Sequence, residues 1–411
     1  MDSFNQALDF YSNGDFQKAF DIWSGMTNNP EALCNAGVIL YNNQLQIPNR
    51  WGRAYQLFKS AADLGNKKAS YLCGQVLEIA YGEEYYDNAV NYYYDAIIGG
   101  QNRAIERVAH LAELGNRSAM SLYSWCLHNG RGIEENPGEA EKWAKKAYEA
   151  GAKGSPVFIL AWAHRRRKEY AQSFAYFKES ANEKDSDSYG PLADHYRLGE
   201  GTKQNYTEAL KWYKMGADTG HEDARYWLGY MHLMGMGCKK NKEEAIKCFN
   251  KVIESGNAIR IRMIGLIYYY GEGGLYDPQY AIRLLELAVS KGDHPAMSDL
   301  GILLYQGDNI TQDYDRAFSL FNETEELPLS QEYLGLCYYH GHGCKKDTGI
   351  ARRYFIRALN NGNDNVRKYL THDMELKPYS KWSLSEQGAE ILGGAASFLL
   401  GTILSSVGGN D

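Results

Sequence analysis

Apolar residues recur three and four positions apart along most of the chain, with polar residues between them. This spacing places the apolar side chains on one face of an α-helix, so it predicts amphipathic helices rather than strands. Two such apolar sets are Ala209, Leu210, Trp212 and Tyr213, and Ala281, Leu284, Leu285 and Ala288. Only nine prolines occur in 411 residues, which favours long helical stretches. The sequence therefore predicts an all-α protein.

The helical segments follow a period of 36 residues. A loop of the type Gly-x-Gly recurs, and its first glycines are Gly199, Gly235, Gly271, Gly307 and Gly341. A small residue precedes each loop and an alanine follows it. The small residue lets two helices approach closely, and the glycine pair turns the chain with positive φ between them. Each period is therefore predicted to form one helical hairpin, and stacked hairpins form an α-solenoid.

The N-terminal half carries the same pattern with looser spacing. The second-helix alanines Ala19, Ala54 and Ala89 are 35 residues apart, but Ala140 follows 51 residues after the last of them. The extra length includes residues 103–114, which we predict to form one additional helix. We expect an α/α superhelical solenoid of about ten hairpins. Its predicted divisions are loose repeats at 1–98, irregular repeats with the additional helix at 99–190, regular repeats at 191–370 and an apolar tail at 371–411.

The glycines, small residues and alanines that recur with this period resemble the repeat of the Sel-one-like family, which belongs to the tetratricopeptide-repeat superfamily. The family pattern is Ala-x(3)-Leu-Gly-x-x-Tyr-x-x-Gly-x-Gly, followed by Lys-Ala-x-x-Trp-Tyr. Residues that match it are Ala224, Leu228, Gly229, Gly235, Gly237, Ala209, Trp212 and Tyr213. His232 and Leu304 replace the tyrosine of the pattern in two repeats, and Asn309 replaces a loop glycine. The resemblance implies an adaptor or scaffold for protein complexes rather than a catalyst.

Charge and motifs exclude several classes of function. The chain has 44 Lys and Arg against 51 Asp and Glu, a net charge of −7, which argues against nucleic-acid binding. It lacks a nucleophile elbow, a phosphate loop, a zinc-protease motif and a dinucleotide fingerprint, so we predict no catalytic residues, no cofactor and no enzyme activity. His340 and His342 lie in a loop that is in register with the other repeat loops, so we expect no metal there. The first residues lack the features of a secretion signal, so we expect a cytoplasmic protein.

Tyrosines and one arginine of the regular repeats are the candidate partner-binding residues. They lie on predicted first helices, away from the expected core face, and are Tyr226, Tyr230, Arg262, Tyr269, Tyr305 and Tyr339. First helices line the concave side of such a solenoid, where tyrosine rings suit a peptide or helix of a partner protein. Arg262 would pair with an acidic or C-terminal group of that ligand. Two alternatives stay open: the rings pack between neighbouring hairpins, and Arg262 is merely solvated.

The C-terminal tail has a different composition. Residues 389–407 are apolar and small, with Glu390 as their only charge. Small residues recur every four positions, and Gly393, Ser397, Gly401 and Ser405 form a strip suited to close helix contact in a membrane or with a partner helix. The length is just sufficient to cross a bilayer. The alternatives are a helix that caps the solenoid and a disordered tail.

Together these features predict a non-catalytic adaptor that binds a peptide or helix of partner proteins in its solenoid groove and so assembles a complex. The alternative functions are a regulatory or accessory subunit of a membrane-associated enzyme, a host-interaction factor, or more distantly a carbohydrate binder. The expected partners are proteins and not nucleic acid. If the tail is an anchor, it also provides a contact with a membrane.

Overall fold

The computed structural model describes residues 3–371, 375 and 376. The regular structure of these residues is helical, and their only strand-like pairing is an isolated antiparallel bridge between Leu370 and Leu376. The predicted all-α class and the solenoid of helical hairpins are confirmed. The chain divides into two compact units, Met1–Lys203 and Gln204–Asp411. The four segments drawn from the sequence stay a prediction.

The first unit contains twelve α-helices, and five pairs of them form hairpins: α1/α2, α3/α4, α5/α6, α8/α9 and α10/α11. A π-helical turn, Leu77–Tyr81, directly follows α5, and short 3₁₀ turns cover Glu83–Tyr85 and Ser186–Ser188. The helices are α1 Ser3–Ser12, α2 Phe16–Gly25, α3 Pro30–Tyr41, α4 Arg50–Asp63, α5 Lys67–Val76, α6 Tyr86–Ile98, α7 Ala104–Glu113, α8 Arg117–Asn129, α9 Pro137–Glu149, α10 Ser155–Arg166, α11 Tyr170–Asn182 and α12 Tyr189–Leu198.

The described part of the second unit contains nine α-helices, and four pairs of them form hairpins: α14/α15, α16/α17, α18/α19 and α20/α21. Its 3₁₀ turns are Glu272–Gly274 and Asp364–Tyr369. The helices are α13 Tyr206–Asp218, α14 Glu222–Met234, α15 Lys242–Ser255, α16 Ala258–Tyr270, α17 Pro278–Ser290, α18 His294–Gln306, α19 Tyr314–Glu323, α20 Pro328–His340 and α21 Thr348–Asn360.

The second helix of each repeat in this unit begins after a capping side chain. The caps, in chain order, are Asn205, Asn241, Asp277, Asp313 and Asp347, and each side-chain oxygen accepts a hydrogen bond from a backbone N–H two or three residues later. Such caps satisfy N–H groups that a helix start leaves unpaired. Asn and Asp therefore mark the point in every period where the second helix starts.

Inside most hairpins, a glycine of the first helix lies under an aromatic ring of the second. A Cβ atom built on Gly335 would lie 2.6 Å from Cε1 of the buried Phe355 ring. The same pairing joins Gly37 with Phe58, Gly74 with Tyr93, Gly229 with Phe249, and Gly301 with Phe321. The ring packs directly on bare backbone, which is the physical reason for the small-residue column in the sequence. In α16 the corresponding Gly265 faces leucine side chains instead.

A second glycine column sets the contact between successive repeats. The second loop glycine, as in Gly237 and Gly343, lies against the backbone carbonyl at the start of the preceding second helix, that of Tyr206 or Tyr314. A Cβ atom at either glycine would overlap that carbonyl group, and both residues have positive φ. This column therefore fixes how closely one hairpin can stack on the next.

The helix α7 lies in the stretch where the sequence predicts an additional helix. Its Arg107 reaches Glu78 in the π-helical turn, donating from Nε to Oε2 over 3.1 Å and from Nη2 to Oε1. The Tyr93 hydroxyl group donates to the same carboxylate over 2.6 Å, and burial raises the pKa of Tyr93. Because the Glu78 side chain is only 5% exposed, these donors replace the water that would otherwise solvate its carboxylate. The ion pair therefore joins α7 to the α5/α6 hairpin.

The predicted strip Gly393, Ser397, Gly401 and Ser405 lies outside the described residues. Among the residues that the structure does describe, none of the helices has both the length and the apolarity that a bilayer crossing requires.

Replacing Gly335 by alanine should lower the free energy of unfolding by about 1–2 kcal/mol, because overpacking against Phe355 outweighs the helix-propensity gain of about 1 kcal/mol. Gly265→Ala is the matched control, since its new Cβ would lie 3.3 Å from the nearest atom, Cβ of Leu284. That variant should be neutral or slightly more stable. Urea unfolding followed by circular dichroism measures both, and equal effects would refute the ring-on-glycine contact.

Replacing Arg107 by methionine should cost about 3 kcal/mol of unfolding free energy, because it leaves the Glu78 carboxylate buried without its cation. Adding Glu78→Gln to that variant removes the uncompensated charge and should restore roughly half of the loss. Urea unfolding of the two single variants and the double variant gives the coupling energy. Strictly additive losses would show that the pair does not join α7 to its neighbour.

Candidate partner-binding face

Three of the tyrosines predicted to contact a partner are buried. Tyr226, Tyr269 and Tyr305 are 1%, 7% and 8% exposed. The Tyr226 ring lies 6.0 Å from that of Phe249, and the Tyr305 ring lies 5.3 Å from that of Tyr333, between ring centroids. This burial favours the alternative in which these rings pack within and between hairpins.

Arg262 is neither solvated nor open to a ligand. Its Nε donates to Oδ2 of Asp293 over 3.0 Å, and its Nη1 donates to Oδ2 of Asp299 over 3.2 Å. The guanidinium group is mostly buried, so both sequence interpretations of this residue need correction. Asp299 lies in α18 and Asp293 lies in the turn before it, whereas Arg262 lies in α16. Arg262 therefore links neighbouring hairpins.

The remaining two candidates are half-buried. The Tyr230 hydroxyl group donates a hydrogen bond to the carboxylate of Glu272, in the loop after α16. The Tyr339 ring contacts His340, with centroids 5.0 Å apart, and the Lys346 ammonium group lies 5.8 Å from its centroid. Both residues keep part of their surface on the outside of the second unit.

The structure groups Tyr230 with five residues that the sequence analysis did not select. All six are partly exposed, and they come from successive repeats of the second unit. We call them the tyrosine–acid row: Tyr230, Tyr270, Glu272, Asp299, Gln306 and Tyr333. Tyr270 lies near both Glu272 and Asp299, and the pKa of Tyr270 is raised chiefly by burial and further by these two carboxylates.

A hydrogen-bonded glutamine continues the row toward α20. Gln306 accepts from the Tyr269 hydroxyl group over 3.4 Å, and its Nε2 donates to the Tyr333 hydroxyl group over 3.2 Å. Burial raises the pKa of Tyr333 well above its ordinary value, so this phenol stays protonated. The row therefore presents hydroxyl, amide and carboxylate groups along four first helices and one loop.

The row contains two carboxyl groups, those of Glu272 and Asp299. Burial raises the pKa of Glu272, and it also raises that of Asp299, where Arg262 opposes the shift. One carboxylate oxygen of Glu272, Oε2, is buried and accepts no hydrogen bond. Arg262 pairs with Asp299 as well as with Asp293, so among the described residues Glu272 is the carboxyl group of the row that has no ion-pair partner. The row can therefore accept hydrogen bonds from cationic donors.

The loop with His340 and His342 packs through its rings. The His342 ring stacks on Tyr314 with centroids 3.9 Å apart, and His342 Nδ1 lies 3.0 Å from the Tyr305 hydroxyl oxygen. Burial lowers the pKa of both histidines. The described residues contain no cluster of His, Cys, Asp and Glu that could hold a metal ion.

Comparison with known proteins agrees with this architecture. The Sel1 repeat model matches residues 30–66, 117–151, 190–221, 222–257, 261–293, 294–324 and 328–363. A search of curated proteins finds no match.

Solved structures of repeat proteins are also similar to the chain. A Sel1 repeat protein from Oxalobacter formigenes is 25% identical, with 57% of this chain and 98% of that chain covered and a TM-score of 0.46. The protective antigen c5321 of uropathogenic Escherichia coli, which displays an SLR fold, is 23% identical over 90% of this chain and 92% of that chain, with a TM-score of 0.37. Yeast Tom70 is 10% identical, with 97% of this chain and 95% of that chain covered and a TM-score of 0.45. Since the seven matched repeats cover more than half of the residues, the chain belongs to the Sel1 repeat family.

Proposed function

We propose that this protein is a non-catalytic adaptor whose second unit binds a segment of a partner protein along the tyrosine–acid row. Sel1 repeats form solenoids that are typical of protein-interaction scaffolds. The proposal rests on the tyrosine–acid row, in which partly exposed polar and aromatic groups lie on successive first helices. Tyrosine binds protein surfaces well, because its ring buries area at low entropic cost while its hydroxyl group pairs.

The chemistry of the row favours a cationic segment. Glu272 has a carboxyl oxygen that accepts no hydrogen bond, and Gln306 provides an amide, so Lys or Arg side chains of a partner would find hydrogen-bond acceptors beside aromatic rings. Cations also interact favourably with the faces of tyrosine rings. The half-buried Tyr339 lies at the α20 end of the second unit and would extend the contact there. Binding of this kind assembles proteins without any chemical step on the partner.

Site-specific photocrosslinking tests the position of the partner. With p-benzoylphenylalanine in place of Tyr270 or Gln306, irradiation in cells should link the full chain to the same protein from both positions. The matched control carries the crosslinker in place of Lys247, which is exposed on the second helix α15. Linkage to the same protein at equal yield from all three positions would contradict the row as the binding surface.

A variant without the Glu272 charge, used in the same photocrosslinking experiment, tests whether the partner contacts the tyrosine–acid row. Glu272→Gln keeps an acceptor for Tyr230 but removes the charge, so the crosslink yield from Gln306 should fall about tenfold, the usual weight of one charge-assisted hydrogen bond. Glu254→Gln, on the exposed face of α15, should leave the yield unchanged. An unchanged yield in Glu272→Gln would show that the partner does not bind through the acidic groups.

A further inference from the structure

The first unit has a cleft of about 690 Å³ that no residue of the tyrosine–acid row touches. The cleft lies between α6 and α8, which are separated in the chain by the additional helix α7, and the turn before α10 closes one side. Ligand sites in proteins usually enclose about 300–1,000 Å³, so this cleft is large enough for several residues of a peptide. The irregularity of the first unit therefore provides a concave site of its own.

One wall of the cleft is apolar and aromatic. The rings of Tyr94 and Trp125 lie with centroids 5.8 Å apart, and Val90 and Leu122 line the surface beside them. Tyr94 is 44% exposed, which is high for a large ring. Exposed rings of this kind are typical of contact surfaces, because they bury apolar area when a ligand covers them.

The other wall carries hydrogen-bond donors without acceptors. Arg117 begins α8, and its guanidinium group lies beside Gly151 in the facing turn, where a Cβ atom would lie 3.9 Å from Nη1. Among the described residues Arg117 makes no ion pair within 4 Å, although its charge acts on the nearby Asp87, and the Ser155 hydroxyl group has no hydrogen-bond acceptor. Arg117 and Ser155 both lie at helix N-termini, where the helix dipole favours negative charge.

The carboxylates near the cleft are already engaged. Asp87 accepts hydrogen bonds from Asn116 and Ser118, and these, together with the nearby Arg117 charge, lower the pKa of Asp87. Glu179 pairs with Lys153 at 3.2 Å. No Asp or Glu lines the cleft itself. Of the two cations in the lining, Lys153 is already paired with Glu179 and Glu183, so Arg117 is the cation that remains for a ligand.

We propose that this cleft binds an acidic segment of a partner protein, with its carboxylates on Arg117 and an apolar residue against Tyr94 and Trp125. Bidentate pairing with Arg suits a carboxylate, and the aromatic wall suits a neighbouring apolar side chain. Two cations are few for an oligonucleotide, which binds through many phosphate contacts. The proposal does not depend on the tyrosine–acid row, whose residues lie in the other unit.

Selection from a random hexapeptide display library on the full chain tests this site. Sequences with Asp or Glu beside an apolar residue should be enriched, and Arg117→Glu should weaken their binding at least tenfold in fluorescence anisotropy. Arg117→Lys should keep most of the affinity. The matched control is Arg53→Glu, an exposed position on α4, which should have no effect. A glutamate at the first position of α8 suits the helix dipole, so Arg117→Glu should remain folded.

The outcomes separate this proposal from the function proposed for the second unit. Absence of acidic sequences, or acidic sequences that bind Arg117→Glu and wild type equally, overturns the cleft assignment. Basic sequences whose binding falls in Glu272→Gln but not in Arg117→Glu report on the tyrosine–acid row alone. A labelled single-stranded oligonucleotide that binds more tightly than the acidic peptides, and loses that binding in Arg117→Glu, would also overturn the assignment to a protein segment.

Discussion

The fold depends on the contact between a bare glycine backbone and an aromatic ring, which recurs inside five of the nine hairpins. A hydrogen atom in place of a side chain brings the two helices close enough for the ring to fill the space between them, as Phe58 does over Gly37 and Phe321 over Gly301. Close packing of this kind leaves little tolerance, since even one added methyl group must displace a buried ring. These hairpins are therefore held by the same local contact, and α16/α17 replaces the ring with leucine side chains.

Repetition of this contact leaves other helix faces free to differ. In the second unit, successive first helices carry Tyr230, Tyr270 and Gln306 on their partly exposed side, and Glu272 lies in the loop after α16. In the first unit, α7 interrupts the series and is fastened by the pair of Arg107 with Glu78. That interruption accompanies a cleft with an aromatic wall and the Arg117 guanidinium group. The two surfaces proposed here therefore differ in the charged group that they offer, Glu272 in one and Arg117 in the other.

The repeat architecture could be predicted from the sequence because its constraints recur. The 36-residue period follows from glycines that face rings or carbonyl groups, and from Asn and Asp caps, so the same residue types recur in each period.

The candidate binding face was harder to predict. The sequence analysis followed Tyr269 and Tyr305, whereas the structure exposes Tyr270 and Gln306, one position further along the helix. One residue turns a helix by about 100°, which moves a side chain from the core to the surface. Arg107 and Glu78 are 29 residues apart in the chain, and Glu78 lies in a π-helical turn. No local sequence pattern therefore predicts their ion pair.

Hydrogen–deuterium exchange with mass spectrometry on Gly37→Val tests the central claim most directly. If the Phe58 ring on Gly37 holds the α3/α4 hairpin, and hairpins stabilise only their neighbours, protection should fall in α3 and α4, less in α1, α2, α5 and α6, and not at all in the second unit. Unchanged protection in α3 and α4, or an equal loss along the whole chain, would contradict that account.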